Sequence, residues 1–358
     1  MSVRIAVIGD PHVKDDNILE TEKLILKLID ILTIEKPDLI VVAGDLLHSF
    51  DIAHVAPHKL CITMLRELKK IANLVLLIGN HDLSSPLSFF SNDHFFTPLY
   101  EWNGLLVADR CCNIFEVKGF KFAAVPYVVD GKFLDALSSN PSYNHQDITA
   151  IFAHQQFLGC KMDKVVSKTG DKWTAGNPLV ISGHIHEHQR LADNLIYVGT
   201  PRQSSFRDST DKTISIFEFC KEPLVISTGN QSGISNSTYW TETRISVGLP
   251  IKIKITINAD QIHFWTPPPG HKIKLEILGS YIDLAAAKEH PNIKYWLSLG
   301  IVIVYLDIKI PNYNSFDFVQ PTSRFTSFTT MYKEKLSGNP EYVELYDEII
   351  EGTSSFQM

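Results

Sequence analysis

Five short apolar runs in this chain stop at a glycine or alanine that is followed at once by aspartate, asparagine or histidine. They end in Gly9-Asp10-Pro11-His12, Gly44-Asp45-Leu46-Leu47-His48, Gly79-Asn80-His81-Asp82, Ala153-His154 and Gly183-His184-Ile185-His186. The runs themselves (Val3 to Gly9, Asp38 to Gly44, Asn73 to Gly79, Ile148 to Ala153, Leu179 to Gly183) are rich in apolar residues without alternation. That is the pattern of strands buried on both faces. Helical periods separate the first three: Leu24, Leu28, Ile31 and Leu32, then Cys61, Met64, Leu65 and Leu68, with Pro37 stopping the first helix. A βαβαβ opening implies parallel strands joined by right-handed crossovers. In an open α/β sheet the carboxyl ends of such strands converge on one crevice. Residues far apart in the chain are thus delivered to one place, and the glycines let the backbone turn sharply enough to present them.

The chain of 358 residues is 44% hydrophobic, enough to bury a real core. No apolar run approaches the length of a membrane span. The first strand meets Asp10 too soon to read as a signal peptide. Five cysteines include the neighbours Cys111 and Cys112 but no C-x-x-C, so neither a disulfide framework nor a zinc ribbon is indicated. The expectation is a reduced, cytoplasmic-type protein. A formal net charge of −7 excludes a simple electrostatic coat for nucleic acid. Bound divalent ions would change that picture locally, where the acids cluster.

Further strands are expected at Asn113–Val117 with Lys121–Pro126 (a hairpin), Leu195–Gly199 and Thr213–Phe219. A large domain over 1–225 is followed by Ser/Thr/Asn/Gly-rich chain, read as a linker over 226–250. The sequon Asn236-Ser237-Thr238 within it is read as chance. In a smaller domain over 251–318, Ile251, Ile253, Ile255 and Ile257 alternate with polar residues, as in a half-exposed strand. His271–Leu278 repeats the pattern. A helical stretch over Asp283–Leu299, interrupted at Pro291, and a strand over Ile301–Ile310 complete a β-α-β core. The remaining 319–358 reads as a helical tail hinged at Ser337-Gly338-Asn339-Pro340.

Carboxylate, amide oxygen and imidazole without thiolate suit manganese, iron or zinc in a reactive site rather than a structural zinc. Seven such groups are too many for one ion. An acid bridging two ions resolves the count, and paired ions are the usual clamp for phosphoryl chemistry.

In this order the set resembles the calcineurin-like metallophosphoesterases over about the first 220 residues, which implies an α/β layered β-sandwich flanked by helices. The resemblance gives one ion Asp10, His12, Asp45 and His186, and the other Asp45, Asn80, His154 and His184, with Asp45 bridging. His81 matches the histidine that steadies the transition state or protonates the leaving oxygen. Ala153 departs from the glycine found in many members. In the serine/threonine phosphatase branch an Asp followed by Arg-Gly stands where this chain has His48-Ser49-Phe50. Gly44 to Ser49 is instead similar to DNA repair nucleases of the MRE-eleven/SbcD type. Tyr197-Val198-Gly199-Thr200-Pro201 is similar to the small nuclease subunit of phage recombination endonucleases.

That branch implies a hydrolase cutting DNA with two divalent ions, manganese first and magnesium second, with His48 assisting His81. It also implies an SbcC-type coiled-coil ATPase as partner, a homodimer as an open alternative, and a bacterial or virus-infected cell as setting. Asp82 reads equally as a turn residue or as an acceptor orienting a histidine. Lys161, Lys164, Lys168 and Lys172, around Phe157 and Trp173, are candidate DNA contacts at the cleft edge. Lys252, Lys254, Lys272 and Lys274 read as a solvated sheet face. In the tail, Phe325, Phe328, Tyr332 and Leu336 form one apolar stripe and Tyr342, Tyr346 and Ile349 another, for packing on the body or docking a partner. The competing functions are a metallophosphoesterase for small phosphoesters and a non-catalytic scaffold.

Overall fold

A computed structural model of the chain describes residues 1–50, 52–162, 165–222 and 231–307. Lys164, part of 226–250 and all of the expected tail therefore lie outside the described residues. Strand β1 (Ser2–Ile8) leads to helix α1 (Ile18–Glu35), β2 (Leu39–Val42), α2 (Val55–Lys69), β3 (Asn73–Leu77) and β4 (Leu105–Ala108). A hairpin of β5 (Asn113–Val117) and β6 (Phe120–Val125) precedes α3 (Phe133–Ser138) and β7 (Ala150–Ala153). Then come the short antiparallel pair β8 (Lys161–Met162) and β9 (Val165–Val166), β10 (Leu179–Ser182), β11 (Gln189–Ala192), β12 (Leu195–Tyr197) and β13 (Thr213–Cys220). The described chain closes with β14 (Gln231–Ser235), β15 (Thr238–Ser246), β16 (Lys252–Asn258), β17 (Lys272–Gly279), α4 (Tyr281–Lys288), α5 (Pro291–Ser298) and β18 (Val302–Asp307).

The strands assemble into a seven-stranded sheet in the order β14-β15-β13-β1-β2-β3-β4 and a six-stranded sheet in the order β11-β12-β10-β7-β6-β5. Alternation of side chains explains the layers. Val3, Ile5 and Val7 join Leu39, Val41, Val75 and Leu77 in one core with Phe152, Leu179 and Ile181 of the other sheet. Ala6 and Ile8 point the other way, into a core with Leu24, Leu28 and Leu32 of α1 and Cys61, Met64, Leu65 and Leu68 of α2. Ile151, Ala153 and Val180 likewise pack outward with Phe133, Ala136 and Leu137 of α3. Both faces of the central strands are thus dry, which is why their sequences show unbroken apolar runs. Each fully buried Leu or Ile contributes about 1.5–3 kcal/mol to this arrangement. The fold is mixed α/β, a β-sandwich flanked by helices, with β1, β2, β3 and β4 parallel.

One expectation is corrected. Within the segment read as linker, residues 231–246 form the hairpin β14–β15, which extends the large sheet antiparallel to β13. The polar residues there occupy a sheet edge, while Trp240 is fully buried and Gly233 lies flat beneath its ring. Asn236 and Ser237 both take left-handed backbone (φ 44° and 61°), as a two-residue hairpin turn demands. The Asn236 amide donates to the carbonyls of His145 and Ile148. Strand β4 has no counterpart among the strands expected from the sequence. The expected interruption at Pro291 separates α4 from α5, with Pro291 in the first turn of α5 and His290 capping it.

Beyond residue 250, β16, β17 and β18 form a parallel three-stranded sheet with α4 and α5 on one face. Its own core holds Ile273, Leu275, Ile277, Leu284, Ile293 and Trp296. The Lys252 and Lys272 ammonium groups reach Glu20 of α1, and Lys254 pairs with Glu276, so these lysines are occupied in ion pairs.

Candidate metal centre

Asp10 and His12 follow β1, Asp45 follows β2, Asn80 follows β3, His154 follows β7, and His184 and His186 follow β10. The sandwich therefore brings all seven to one end. Three of the turns are strained: His12, Asp45 and His184 have φ of 45°, 48° and 76°, a region costly for residues with a Cβ. Two glycines make room. A Cβ on Gly44 would lie 2.4 Å from His154 Nδ1, and one on Gly79 would lie 2.2 Å from Asp45 Oδ1.

The donors fall into two groups. Asp10, His12 and His186 converge, with the Nε2 atoms of the two histidines 2.9 Å apart. Asp45, His154 and His184 form the second group, and Asn80 Oδ1 lies 3.1 Å from His154 Nε2 and 2.9 Å from His184 Nδ1. Asp45 stands between them: its Oδ2 is 3.7 Å from His12 Nε2 and 3.4 Å from His154 Nε2. Its Oδ1 accepts the backbone N–H of His81 at 2.8 Å. Lone pairs of nitrogen and oxygen aimed at one another across 3–4 Å are what a pair of divalent cations would satisfy, so the residues fit such ions.

Electrostatics agree. Burial pushes the Asp45 carboxyl up, but His154, then His12 and His81, hold it well below the usual carboxylate range. Burial raises Asp10 to about 6, with Asp45 adding to it. His154 is drawn up to about 9 against its burial by Asp45 and Asp10, while burial and His154 push His184 down to about 3. Cations in the two groups would supply the positive charge that His154 now provides and draw these ligands to their deprotonated forms.

His81 and His48 lie beside the first group. Their rings are parallel at 5.5 Å, and each packs edge-on to His12, at 5.0 and 5.2 Å. His81 Nδ1 is 2.6 Å from the His48 carbonyl oxygen, which only accepts, so that nitrogen carries the proton. Phe50 stacks on His81 at 4.3 Å. Among the described residues, the Asp82 carboxylate hydrogen-bonds to no histidine. Fully buried, it accepts the N–H groups of Leu47 and Gly79, both at 3.0 Å, and so ties the Asp45 turn to the Asn80 turn. Burial, with Asp45 beside it, lifts its carboxyl to about 8.

The candidate DNA-contact lysines separate. Lys161 borders a cleft shared with His184 and His186, whereas Lys168 and Lys172 are exposed in the chain that follows. The aromatics among them are packing residues: Phe157 is buried, and Trp173 lies against Phe133 and Phe157 and donates to the Pro178 carbonyl. Sequence reasoning missed Arg202. It is buried, and its guanidinium donates to the carbonyls of Pro11 and His12 at 2.7 and 3.0 Å and to Thr21 Oγ1. Asn17 adds a third donor, to the His12 carbonyl. Together they clamp the strained His12 turn. The signal was near, since Arg202 follows Gly199-Thr200-Pro201, but no spacing rule marks an arginine that serves a backbone.

The family model described as calcineurin-like phosphoesterase matches residues 3–188, more than half of the chain. The protein named phosphoesterase 244L of Invertebrate iridescent virus 6 is 37% identical over 216 residues, covering 60% of this chain and 76% of its own length. Phosphoesterase 078R of Invertebrate iridescent virus 3 is 36% identical over 218 residues, 60% of this chain, which in turn spans 61% of that relative. Among solved structures, Yfce, a phosphoesterase from E. coli, aligns over 68% of this chain and all of its own at 11% identity, with a TM-score of 0.30. With the matched region carrying every donor of the two groups, the chain belongs to the calcineurin-like phosphoesterases.

Proposed function

We propose that this phosphoesterase hydrolyses phosphodiester bonds in DNA, as the nuclease subunit of a recombination or repair assembly. The observation that carries the reading is the parallel His48–His81 pair against His12, at the edge of the donor groups. Asp10, His12, Asp45 and His186 would hold one divalent ion, and Asp45, Asn80, His154 and His184 the other. Manganese suits this mixture of carboxylate, amide and imidazole, with magnesium second. When bound, the ions supply Lewis acidity at the phosphate and an activated water. The chain's own contribution is proton delivery. With the Nδ1 proton of His81 committed to the His48 carbonyl, Nε2 is the atom from which imidazolium gives a proton to the departing oxygen. Phe50 and His48 hold that ring in plane.

Manganese-dependent digestion of linear duplex DNA, measured beside hydrolysis of bis(p-nitrophenyl) phosphate, tests the reading. His81→Ala lowers DNA cleavage by about 10²-fold or more with metal content retained. His48→Ser lowers DNA cleavage more than hydrolysis of the activated diester, whose leaving group needs no proton. Equal losses on both substrates overturn the nuclease assignment. A second reading, hydrolysis of a small phosphoester, is favoured by the net charge of −7, which gives a long polyanion no general attraction. Activity on the diester with none on DNA selects it. The proposed partner is a coiled-coil ATPase, docked through the apolar stripes of 319–358, in a virus-infected or bacterial cell. Removing residues 323–358 then abolishes copurification with the ATPase and spares diester hydrolysis. A homodimer would show instead as a doubled mass in solution.

A further inference from the structure

A cleft of about 230 Å³ opens directly beside the metal centre, lined by Lys161, Met162, His184, Ile185, His186 and Glu187. Its volume is below the roughly 300–1,000 Å³ of sites that take a whole small molecule, so it suits one substituent of a larger ligand. Two of its walls are histidines from the two donor groups. A phosphoester held there has one of its ester arms directed to this cleft or away from it. The cleft is preformed. The backbone N–H of Lys161 donates to Gln189 Oε1 and its carbonyl accepts from Gln189 Nε2, both at 2.9 Å, which pins β8 to β11. Glu187, the one carboxylate in the lining, is engaged by the Ser209 N–H and the Lys212 ammonium. What remains for a ligand is a thioether, an aliphatic side chain and a cation. Met162 is 41% exposed on a two-stranded hairpin, outside the hydrophobic cores of the described residues. An unbranched, polarisable side chain in such a place fits the face of an aromatic ring, and Lys161 fits an anion attached to that ring.

We propose that this cleft is a nucleoside subsite: it takes the base and sugar on one side of the scissile phosphodiester, with the ring against Met162 and the next phosphate at Lys161. The proposal rests on the phosphodiesterase reading above and adds the class of substituent that the site selects. It holds for a nucleotide within a strand and for a free one alike.

Two measurements on the full-length protein with manganese test it. The first is kcat/KM for thymidine 5′-(p-nitrophenyl phosphate) relative to methyl p-nitrophenyl phosphate. Each hydrolysis adds water across one P–O bond and releases p-nitrophenol. The expected ratio favours the thymidine ester by about tenfold, the upper end of a sulfur–ring contact. Met162→Glu, which sets a carboxylate in the cleft, brings the ratio to within about twofold of unity. A ratio near unity in the unaltered protein, or one that Met162→Glu leaves in place, overturns the subsite. The second measurement is calorimetric binding of thymidine 5′-monophosphate against methyl phosphate, which needs no turnover. A thymidine preference lost in Met162→Glu supports the subsite even if neither ester is hydrolysed, in which case the phosphodiesterase reading alone falls. Binding without any thymidine preference overturns the subsite whatever the activity.

Discussion

The sandwich and the small sheet beyond residue 250 both use parallel strands, yet only one of them carries a site. In the sandwich, β1, β2, β3, β7 and β10 are buried on both faces, so solvent-facing chemistry is confined to their ends. There glycine gives way to Asp10, Asp45, Asn80 and His184, and Ala153 to His154. In β16, β17 and β18 one face is packed against α4 and α5 while the other is partly open, so polar residues alternate with apolar ones along β16 and much of β17. Charge spread along a strand can pair with neighbours, as Lys254 does with Glu276, but it does not converge. Full burial is what concentrates reactive groups at strand ends. Where a strand may be half wet, its polar residues serve solubility and docking.

Substitutions can sharpen that contrast. The largest effect is expected at Asp45, the residue shared by the two donor groups. Asp45→Ala lowers hydrolysis by about 10³-fold or more, and metal analysis of the purified variant finds both ions reduced. His12→Ala by comparison mainly weakens one. A single ion at saturation in the unaltered protein would break the two-site assignment.

Next comes a pair of glycine variants. Gly79→Ala forces a methyl group to within 2.2 Å of Asp45 Oδ1 and 2.4 Å of its backbone nitrogen. The turn must shift, and metal binding is lost even where thermal denaturation shows the protein folded. Gly300→Ala in the small domain meets nothing within 4 Å but must keep a φ of 78°. It costs about 1 kcal/mol of stability and leaves metal content alone. Similar metal loss in both would mean that the crowding at strand ends has no special role.

Arg202→Lys is smaller. It keeps the charge and loses the planar fork that holds the Pro11 and His12 carbonyls, so manganese affinity by titration falls about tenfold. The smallest effect belongs to Lys272→Ala. Its ammonium is half-exposed and Glu20 retains Lys252, so chemical denaturation shifts by about 1 kcal/mol or less. A loss of activity in that variant would show that the small domain couples to the site.

Burial pattern and motif order are local facts, and they were legible without coordinates. Val3 to Gly9, Asp38 to Gly44 and Asn73 to Gly79 read as doubly buried strands, and the residues that follow each run read as one set. The hairpin of 231–246 was not legible, because its serines and threonines have the composition of a linker. Its place as a sheet edge depends on Trp240 finding a core contributed by Phe217. Arg202 was invisible for a related reason. Two of its three partners are backbone carbonyls some 190 residues away in sequence, and a carbonyl has no letter.

What the residues determined by themselves is the chemistry at the strand ends, since period, glycine and ligand type are properties of short stretches. What only the tertiary structure decided is how those groups divide. Asp45 between two groups, Asp82 turned to backbone rather than to a histidine, and Met162 beside His186 are all matters of distance between chain segments. Such distances follow from how two sheets stack, and no single segment encodes them.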